Sequence, residues 1–538
     1  MNSKITNLIL SILDTLDVKD VCISPGARNA PLIQGFAELN FNTHLILDER
    51  SSGFYALGVA KKTRKPVIIC CTSGTALGNL FPAIIEARMS EIPLVIITAD
   101  RPKSLIGKGE NQTIYQESIY GKYVCNNTTI NPSDKKQSII DKINISINTS
   151  LGIIDKLNLV EKGPVHINVH IEEPLIDSQS SNLKMEDIYL SPIDSIPINK
   201  TLKIDQSIKK PLIICGQSDM RSQTNQIINI SNKIGAPILA DISSNINGNS
   251  NIISFFDHFI DDIEPPDLIL RYGSKPQSKK LLSLIKQFND KTYLLRPYKV
   301  FNDDILSSNV YSAINENEQL KPNVDWLNSF KEKDELIRND INNAFNDADL
   351  NEYTFAHQFT EKIPENSNVF IGNSLMIRAF NIFSQKSQKN IKFFSNRGAS
   401  GIDGNISTAL GIASKSKENN YLVIGDQSFM HDIGALQILA EYNTNLTIFI
   451  INNYGGAIFD YLPISEKIEP KIFKNFIRNQ HKKSFQPIVE SYQLGYQKIT
   501  SINELDDIDM NTKKVYELDI DSDSSLKFIR QFSTSLSK

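Results

Sequence analysis

Short runs of consecutive apolar residues recur along the chain, and stretches whose apolar positions repeat at helical spacing separate them. Such runs, bounded by turn residues, read as strands buried on both faces, and the 3.6-residue period reads as helix. In the first third the predicted strands are 20–24, 44–47, 66–71, 93–98 and 165–171, with a helix running from the 72–76 loop to about residue 88. The first twenty residues carry helical apolar spacing broken by Asp14 and Asp17, which predicts an amphipathic first helix rather than a signal peptide. In the middle, 211–216, 237–240, 267–272 and 292–295 predict strands and 224–234 a helix. A charged helical stretch with the only tryptophan, Trp326, covers 323–348. The last third offers strands at 368–371, 391–394, 421–424, 446–451 and 514–518. Alternation of this kind predicts an α/β fold with mainly parallel sheets, divided into α/β domains at 1–180, 181–345 and 346–538. A polar, proline-punctuated stretch at 177–205 reads as a linker.

Residues 421–459 carry the densest chemistry. The apolar run 421–424 ends at Gly425-Asp426, helical spacing follows at Ile433, Leu436, Leu439 and Ala440, and the run 446–451 ends at Asn452-Asn453. This β-α-β unit must cross over right-handed with parallel strands, so Asp426 and Asn453 lie at carboxyl ends of strands, the ligand-binding rim of such sheets. On neighbouring strands their side chains start about 5–10 Å apart. An Asp, an Asn amide oxygen and a carbonyl from the Tyr454-Gly455-Gly456 turn make an all-oxygen set of the kind Mg²⁺ prefers, completed by water and substrate phosphates. Gly455-Gly456 permits close backbone approach, and helix-opening amides favour a diphosphate. The competing reading is an Asp that caps a helix and an Asn that closes a turn.

Composition narrows the field. With 538 residues the chain exceeds one core, and 40% hydrophobic with 22% charged residues is ordinary for a water-facing protein. A net charge of −4 leaves no footprint for nucleic acid or an acidic membrane, and no apolar stretch is long enough to span a bilayer. Five cysteines without metal-ligand spacing predict buried, reduced thiols and a cytoplasmic setting. The seven histidines form no metal pattern; His431 is the one expected near the 421–459 site, in a structural role. No Gly-x-Ser-x-Gly elbow or Walker loop is present, which argues against hydrolase and nucleotide-triphosphatase chemistry.

Two α/β segments with rim motifs around a middle α/β segment resemble thiamine diphosphate enzymes of the decarboxylase type. The family signature is Gly-Asp-Gly, a gap in the mid-twenties, then Asn-Asn. Here Gly425-Asp426-Gln427 leads to Asn452-Asn453 with twenty-four residues between, Gln427 replacing the third glycine. The stretches SPGARNAPL (24–32), LDERSSGFYALGVAK (47–61), TSGTA (72–76), TADRP (98–102), GENQTIYQ (109–116), GNSLMIR (372–378), SNRGASGIDG (395–404) and NNYGGAIF (452–459) are similar to one subfamily, the 2-succinyl-5-enolpyruvyl-6-hydroxy-3-cyclohexene-1-carboxylate synthases of menaquinone biosynthesis. The match covers the first and last segments in order and the middle one weakly.

The resemblance implies decarboxylation of 2-oxoglutarate and addition of the resulting four-carbon carbanion equivalent to isochorismate. Another 2-oxo acid decarboxylase or carboligase of the family is the alternative. Thiamine diphosphate and Mg²⁺ or Mn²⁺ are the implied cofactors. They would be shared between two chains, so that homodimers, paired into homotetramers, carry sites at the dimer interface. By the same resemblance Glu49 is the catalytic carboxylate facing the aminopyrimidine; the competing reading pairs it with Arg50. Thr72, Ser73, Gly74, Gly425, Asp426 and Gln427 would surround the cofactor, and Ile402 would wedge beneath it, against a reading as core isoleucine. Asp426, Asn453 and the Gly455 carbonyl would hold the metal. Ile458, Phe459 and Leu462 would form an apolar wall, with core packing as competitor. Two dicarboxylates call for cations and strong donors, best as bidentate arginines. Arg28, Arg378, Arg397 and Lys279 are the candidates, with Asn111, Gln112 and Ser374 as neutral donors. A surface ion pair is the commoner explanation of any single arginine, and Lys275 and Lys280 compete with Lys279. Ala27 stands where relatives commonly carry serine.

Overall fold

The computed structural model describes residues 2–153, 162–176, 184–190, 200–217, 223–296, 309–315, 321–346, 348–384, 389–442 and 444–536. Parts of the expected 177–205 linker therefore lie outside the described residues.

Among the described residues, three six-stranded parallel sheets organise the chain. The first joins β1 (Asp20–Ile23), β2 (Asn42–Leu45), β3 (Val67–Cys71), β4 (Leu94–Asp100), β5 (Asn126–Ile130) and β6 (Val165–His170) in the order β2-β1-β3-β4-β6-β5. In the middle, β7 (Thr201–Leu202) and β14 (Ala313–Ile314) pair beside a sheet of β8 (Pro211–Cys215), β9 (Ile238–Ala240), β10 (Ile252–Ile253), β11 (Leu268–Tyr272), β12 (Thr292–Leu295) and β13 (Val310–Tyr311), ordered β10-β9-β8-β11-β12-β13. The last contains β15 (Asn368–Ile371), β16 (Lys392–Phe394), β17 (Asn420–Gly425), β18 (Thr447–Asn452), β19 (Gly495–Ile499) and β20 (Lys514–Asp519), ordered β16-β15-β17-β18-β20-β19. Counted from its own first strand, the last sheet repeats the order of the first.

The central strands β3, β4 and β18 are buried at every residue, as helices on both faces require. The two outer sheets share a core. Ile69, Leu77 and Ala83 of the first belong to one apolar cluster with Ile406, Leu410 and Ile448 of the last. The helices Glu49–Thr63 and Asn405–Ser414 meet there backbone to backbone. A Cβ on Gly58 would fall 2.0 Å from the Thr408 carbonyl oxygen, and one on Gly411 would fall 2.1 Å from that of Tyr55. The middle sheet has its own clusters on its two faces.

Some elements differ from the pattern. The strand expected at 44–47 is β2, two residues earlier; it is an edge strand, and Leu45 and Leu47 are 58% and 69% exposed. The helix expected up to residue 88 is two, Ala76–Asn79 and Phe81–Met89, because Pro82 lacks the N–H that would continue the first. The crossover after β17 is likewise broken, into Asp426–His431, a 3₁₀ turn Ile433–Ala435 and Leu436–Glu441. Asp432 turns inward at that break to accept from the Ser407 N–H at 2.8 Å. β5 and β19 are edge strands with few apolar residues, so their sequence gives no buried-strand signal. All five cysteines lie outside any disulfide, and four of them are buried.

Candidate active site

β17 and β18 pair directly, Gly425 opposite Ile451, so Asp426 and Asn453 emerge side by side at one rim. Asp426 is 2% exposed. Its Oδ1 accepts from the Gln427 N–H at 2.5 Å and its Oδ2 from the Gly455 N–H at 2.8 Å, which ties both rim turns to one carboxylate. Asn453 donates Nδ2 to Glu352 Oε1 at 2.7 Å, so its amide oxygen faces away from Glu352. Glu352 is fully buried at the start of the helix Glu352–Lys362, and burial holds its carboxyl above the usual range.

The 454–456 turn is closed by a returning segment. Tyr454 has a φ of 60° and Gly455 one of 139°. A Cβ on Gly455 would meet the Arg478 carbonyl oxygen at 2.8 Å, so only glycine fits. The Arg478 carbonyl accepts from the Gly456 N–H at 2.7 Å and from Gln427 Nε2 at 2.9 Å. Gln427, in place of the signature glycine, thus ties this segment to the Asp426 turn. The same segment brings His481, whose Nε2 lies 3.2 Å from Asp426 Oδ2 while its Nδ1 accepts from the Lys483 N–H. His481, not His431, is therefore the histidine at this carboxylate. His431 sits at the far end of the Asp426 helix, its carbonyl accepting from Arg50 at 3.0 Å.

Beside this cradle lies the 395–404 loop. Ile402 is 40% exposed rather than core, and its carbonyl accepts from Ser428 Oγ at 2.6 Å, which sets it against the Asp426 helix. Leu462 is 38% exposed, whereas Ile458 and Phe459 are half-buried. Arg397 is half-buried and donates to Asn373 Oδ1 at 3.0 Å. Burial, then the like charge of Arg378, holds its guanidinium below the usual arginine range. Arg378 is exposed and donates to the carbonyl of Ser374, a residue held at a φ of 72°. Asp241 of the middle sheet also acts on Arg397 and accepts from the Gln277 N–H, close to Lys279 in sequence. Lys279 is exposed and opens the helix Lys279–Gln287, while Lys280 pairs with Asp261 at 2.6 Å.

The first sheet assembles a second group. Glu49 opens the helix Glu49–Thr63, capped by Asp48, and is half-buried with its Oε2 accepting from Asn79 at 3.1 Å. Ser73 is 1% exposed with no partner for its hydroxyl. Gly74, at a φ of 85°, donates its N–H to Gln116 Oε1 at 3.1 Å and lies beside Gln112. A Cβ on Gly26 would meet the Thr72 side chain at 2.4 Å, which packs the Pro25-Gly26 turn onto the 72–74 loop. Arg28 is 5% exposed, donates to the Ile171 carbonyl at 3.0 Å and pairs with Glu173 at 2.9 Å. Arg101 stands close enough to lower its pKa further below the value burial sets, and Arg101 reaches Gln112 Oε1 at 3.5 Å. Asn111, Gln112 and Ala27 are exposed. Among the described residues, no hydrogen bond or ion pair joins Glu49, the 72–74 loop or Arg28 to Asp426, Asn453 or Arg397.

Glu352, Asn373, His481 and Arg101 were not among the residues expected from sequence. Asn373 and Arg101 sit inside quoted motifs; Glu352 and His481 carry no local signal.

The donor chemistry of the last rim fits a divalent ion that carries a diphosphate. One carboxylate, one amide oxygen and one carbonyl make too few ligands for an octahedral ion, so phosphate oxygens are needed to complete it. Among the described residues no group of three His, Cys, Asp or Glu side chains is placed to hold a metal without such help. A Cβ on Gly425 meets nothing within 4 Å, so space opens before the strand end.

Three family models match the chain in order. They are the thiamine pyrophosphate enzyme N-terminal TPP binding domain at 3–119, the middle domain of thiamine pyrophosphate enzymes at 194–371, and the C-terminal TPP binding domain at 371–519. A 2-succinyl-5-enolpyruvyl-6-hydroxy-3-cyclohexene-1-carboxylate synthase of Listeria monocytogenes serotype 4b is 31% identical over 91% of this chain and 89% of its own. The synthase of that name from Desulfitobacterium hafniense is 32% identical over 91% and 92%, and that from Bacillus velezensis 32% over 86% and 85%. The chain belongs to the thiamine diphosphate enzymes and, within them, to the family of the 2-succinyl-5-enolpyruvyl-6-hydroxy-3-cyclohexene-1-carboxylate synthases.

Proposed function

We propose that this chain decarboxylates 2-oxoglutarate and adds the remaining four-carbon unit to isochorismate, giving carbon dioxide and the product for which its relatives are named. The observation that carries the reading is the last rim. There the Asp426–Asn453–Gly455 cradle follows β17 and β18, Arg378 and Arg397 follow the neighbouring β15 and β16 of the same parallel sheet, and the Ile402 carbonyl on the Arg397 loop accepts from Ser428 of the Asp426 helix. A cofactor site flanked by two guanidiniums suits a dicarboxylic 2-oxo acid far better than pyruvate.

Thiamine diphosphate, when bound, supplies the carbon that attacks the keto group and accepts the electrons left by carbon dioxide. The chain's residues bind, orient and exclude water around it. Asp426, the Asn453 amide oxygen and the Gly455 carbonyl hold Mg²⁺ or Mn²⁺ and, through it, the diphosphate. Gly425 and Gln427 line that end, and Ile402, exposed at the rim, supports the ring system. Glu49 faces the aminopyrimidine and holds or moves a proton at a ring nitrogen, with Thr72, Ser73 and Gly74 beside it. Arg378, Arg397, Ser374 and Lys279 meet substrate carboxylates from one side, and Arg28, Asn111 and Gln112 from the other. Ile458, Phe459 and Leu462 form an apolar wall.

We infer a homodimer, paired into a homotetramer, with Glu49 of one copy facing the cradle of the next. The apolar Leu45 and Leu47, exposed just before Glu49, support a second copy at that edge. A reducing cytoplasmic setting accords with five cysteines outside any disulfide.

The test is incubation of the purified protein with thiamine diphosphate, Mg²⁺, 2-oxoglutarate and isochorismate. Carbon dioxide release and isochorismate loss should proceed one for one. Release without isochorismate consumption would leave a decarboxylase of another kind.

A further inference from the structure

The loop that carries Arg397 is built from three sides. From the last domain, Asn373 donates Nδ2 to the carbonyls of Asn396 and Gly401, both at 2.7 Å, and takes Arg397 on its Oδ1. Its amide is committed at both ends, so its orientation is fixed. From the middle domain, Gln217 Nε2 donates to the Ser395 carbonyl at 3.0 Å. From the first domain come two buried charges. Lys61 Nζ donates to the Ser395 carbonyl and to Asn396 Oδ1, each at 2.7 Å. Glu86, 3% exposed, accepts the Gly398 N–H on Oε1 at 2.9 Å and the Ala399 N–H on Oε2 at 2.7 Å. Ser90 Oγ donates to the same Oε1 at 2.7 Å, and Lys61 Nζ stands 3.8 Å from it. The fit is close, because a Cβ on Gly398 would lie 2.5 Å from Ser90 Oγ and 2.7 Å from the Glu86 carbonyl oxygen.

Arg397 immediately precedes the two amides that Glu86 holds. Two consecutive backbone N–H groups taken by the two oxygens of one carboxylate fix the peptide planes on the C-terminal side of the arginine. Lys61, on the carbonyl and side chain of the two preceding residues, fixes the other side. A glutamine at position 86 offers one acceptor oxygen for two amides, leaving one amide facing an NH₂ group.

We propose that Glu86, seconded by Lys61, is a positioning residue that aims Arg397 at a substrate carboxylate, so that the first domain sets the substrate-binding geometry of the last domain in its own chain. The inference rests on the proposed role of Arg397 in binding a dicarboxylate. The Glu86 carboxylate is taken up by the Gly398 and Ala399 amides and by Ser90, so it would act through the loop.

The experiment compares wild type, Glu86→Gln, Arg397→Lys and the double variant with saturating thiamine diphosphate and Mg²⁺, measuring KM for each dicarboxylate separately from kcat, and cofactor affinity by calorimetry. Glu86→Gln should raise KM for at least one dicarboxylate about tenfold or more with cofactor affinity unchanged, since a misplaced binding arm loses much of its contribution. In the double variant the two losses should not multiply, because Glu86 acts through Arg397. Multiplying losses, an unchanged KM in Glu86→Gln, or a fall in cofactor affinity of the same size would overturn the inference. Should Glu86→Gln not fold, Lys61→Met, which keeps the buried stem and removes the ammonium, must give the same selective rise in KM. Wild type without activity on either dicarboxylate would count against the proposed function itself, whereas an active wild type whose KM ignores both substitutions counts against the loop alone.

Discussion

Asp426 shows what one residue at a strand end controls. Its carboxylate joins the two rim turns through Gln427 and Gly455 and lies against His481. Asp426→Asn keeps an acceptor for one of those amides but removes the only formal charge in the proposed metal set. Calorimetry of thiamine diphosphate binding at fixed Mg²⁺ should show affinity weakened about a hundredfold; unchanged affinity would take Asp426 out of that set. Asp432, six residues on, gives a pH signature. It is fully buried, and burial pushes its carboxyl up to about 7, against hydrogen bonds from Ser407 and the charge of Arg50. Between about pH 4 and pH 7 the native state holds a proton that the unfolded chain, with its pKa near 3.9, gives up. This contribution to stability is complete below that window and lost as pH rises through it. Urea midpoints at pH 5 and pH 8 should therefore fall more for wild type than for Asp432→Asn, which keeps an acceptor for Ser407 and cannot ionise. Asp426 and Asn453 were legible in the sequence because a strand end places them whatever else the chain does. Glu352 and His481 were not, since their contacts depend on returns from 101 and 55 residues away that no local pattern encodes.

At the scale of elements, buried strands were legible because both faces are covered and most positions are apolar. Edge strands β2, β5 and β19 were displaced or missed because half of their surroundings is water. The helix pair Glu49–Thr63 and Asn405–Ser414 lay outside sequence reading for another reason. Its glycines Gly58 and Gly411 look like weak points within helices, yet each marks a place where one backbone touches the other. Gly411→Ala would ordinarily favour a helix. Here the new methyl collides with the Tyr55 carbonyl, so the helices must part or the backbone must shift. Overpacking of that kind costs about 3 kcal/mol, read as a drop in the urea midpoint. A neutral or stabilising result would mean the two helices do not meet this closely. Because Glu49 opens the first of the pair, their contact also fixes where that carboxylate stands relative to the last sheet.

On the scale of the whole molecule, the first and last sheets repeat one strand order and press a shared core between them, each with its motif-bearing rim. One rim holds Glu49 and the 72–74 loop, the other Asp426 and Asn453, and within one chain no hydrogen bond or ion pair among the described residues joins the two sets. Glu49 has Asn79 as its hydrogen-bond partner, and exposed Leu45 and Leu47 precede it. In the proposed homodimer a twofold axis would bring the two half-sites of different copies together and build two sites at once. Complementation separates this arrangement from a site closed within one chain. Glu49→Gln and Asp426→Asn chains, each inactive alone, are unfolded together in equal amounts and refolded. If the site is shared, each mixed dimer has one site with both wild-type residues and one with neither, and random pairing makes half of the dimers mixed. Activity should then return to about a quarter of the wild-type value per chain. If both residues serve a site within a single chain, every site keeps one lesion and mixing restores nothing, so recovery near zero from a mixture shown to contain mixed dimers would refute the shared site.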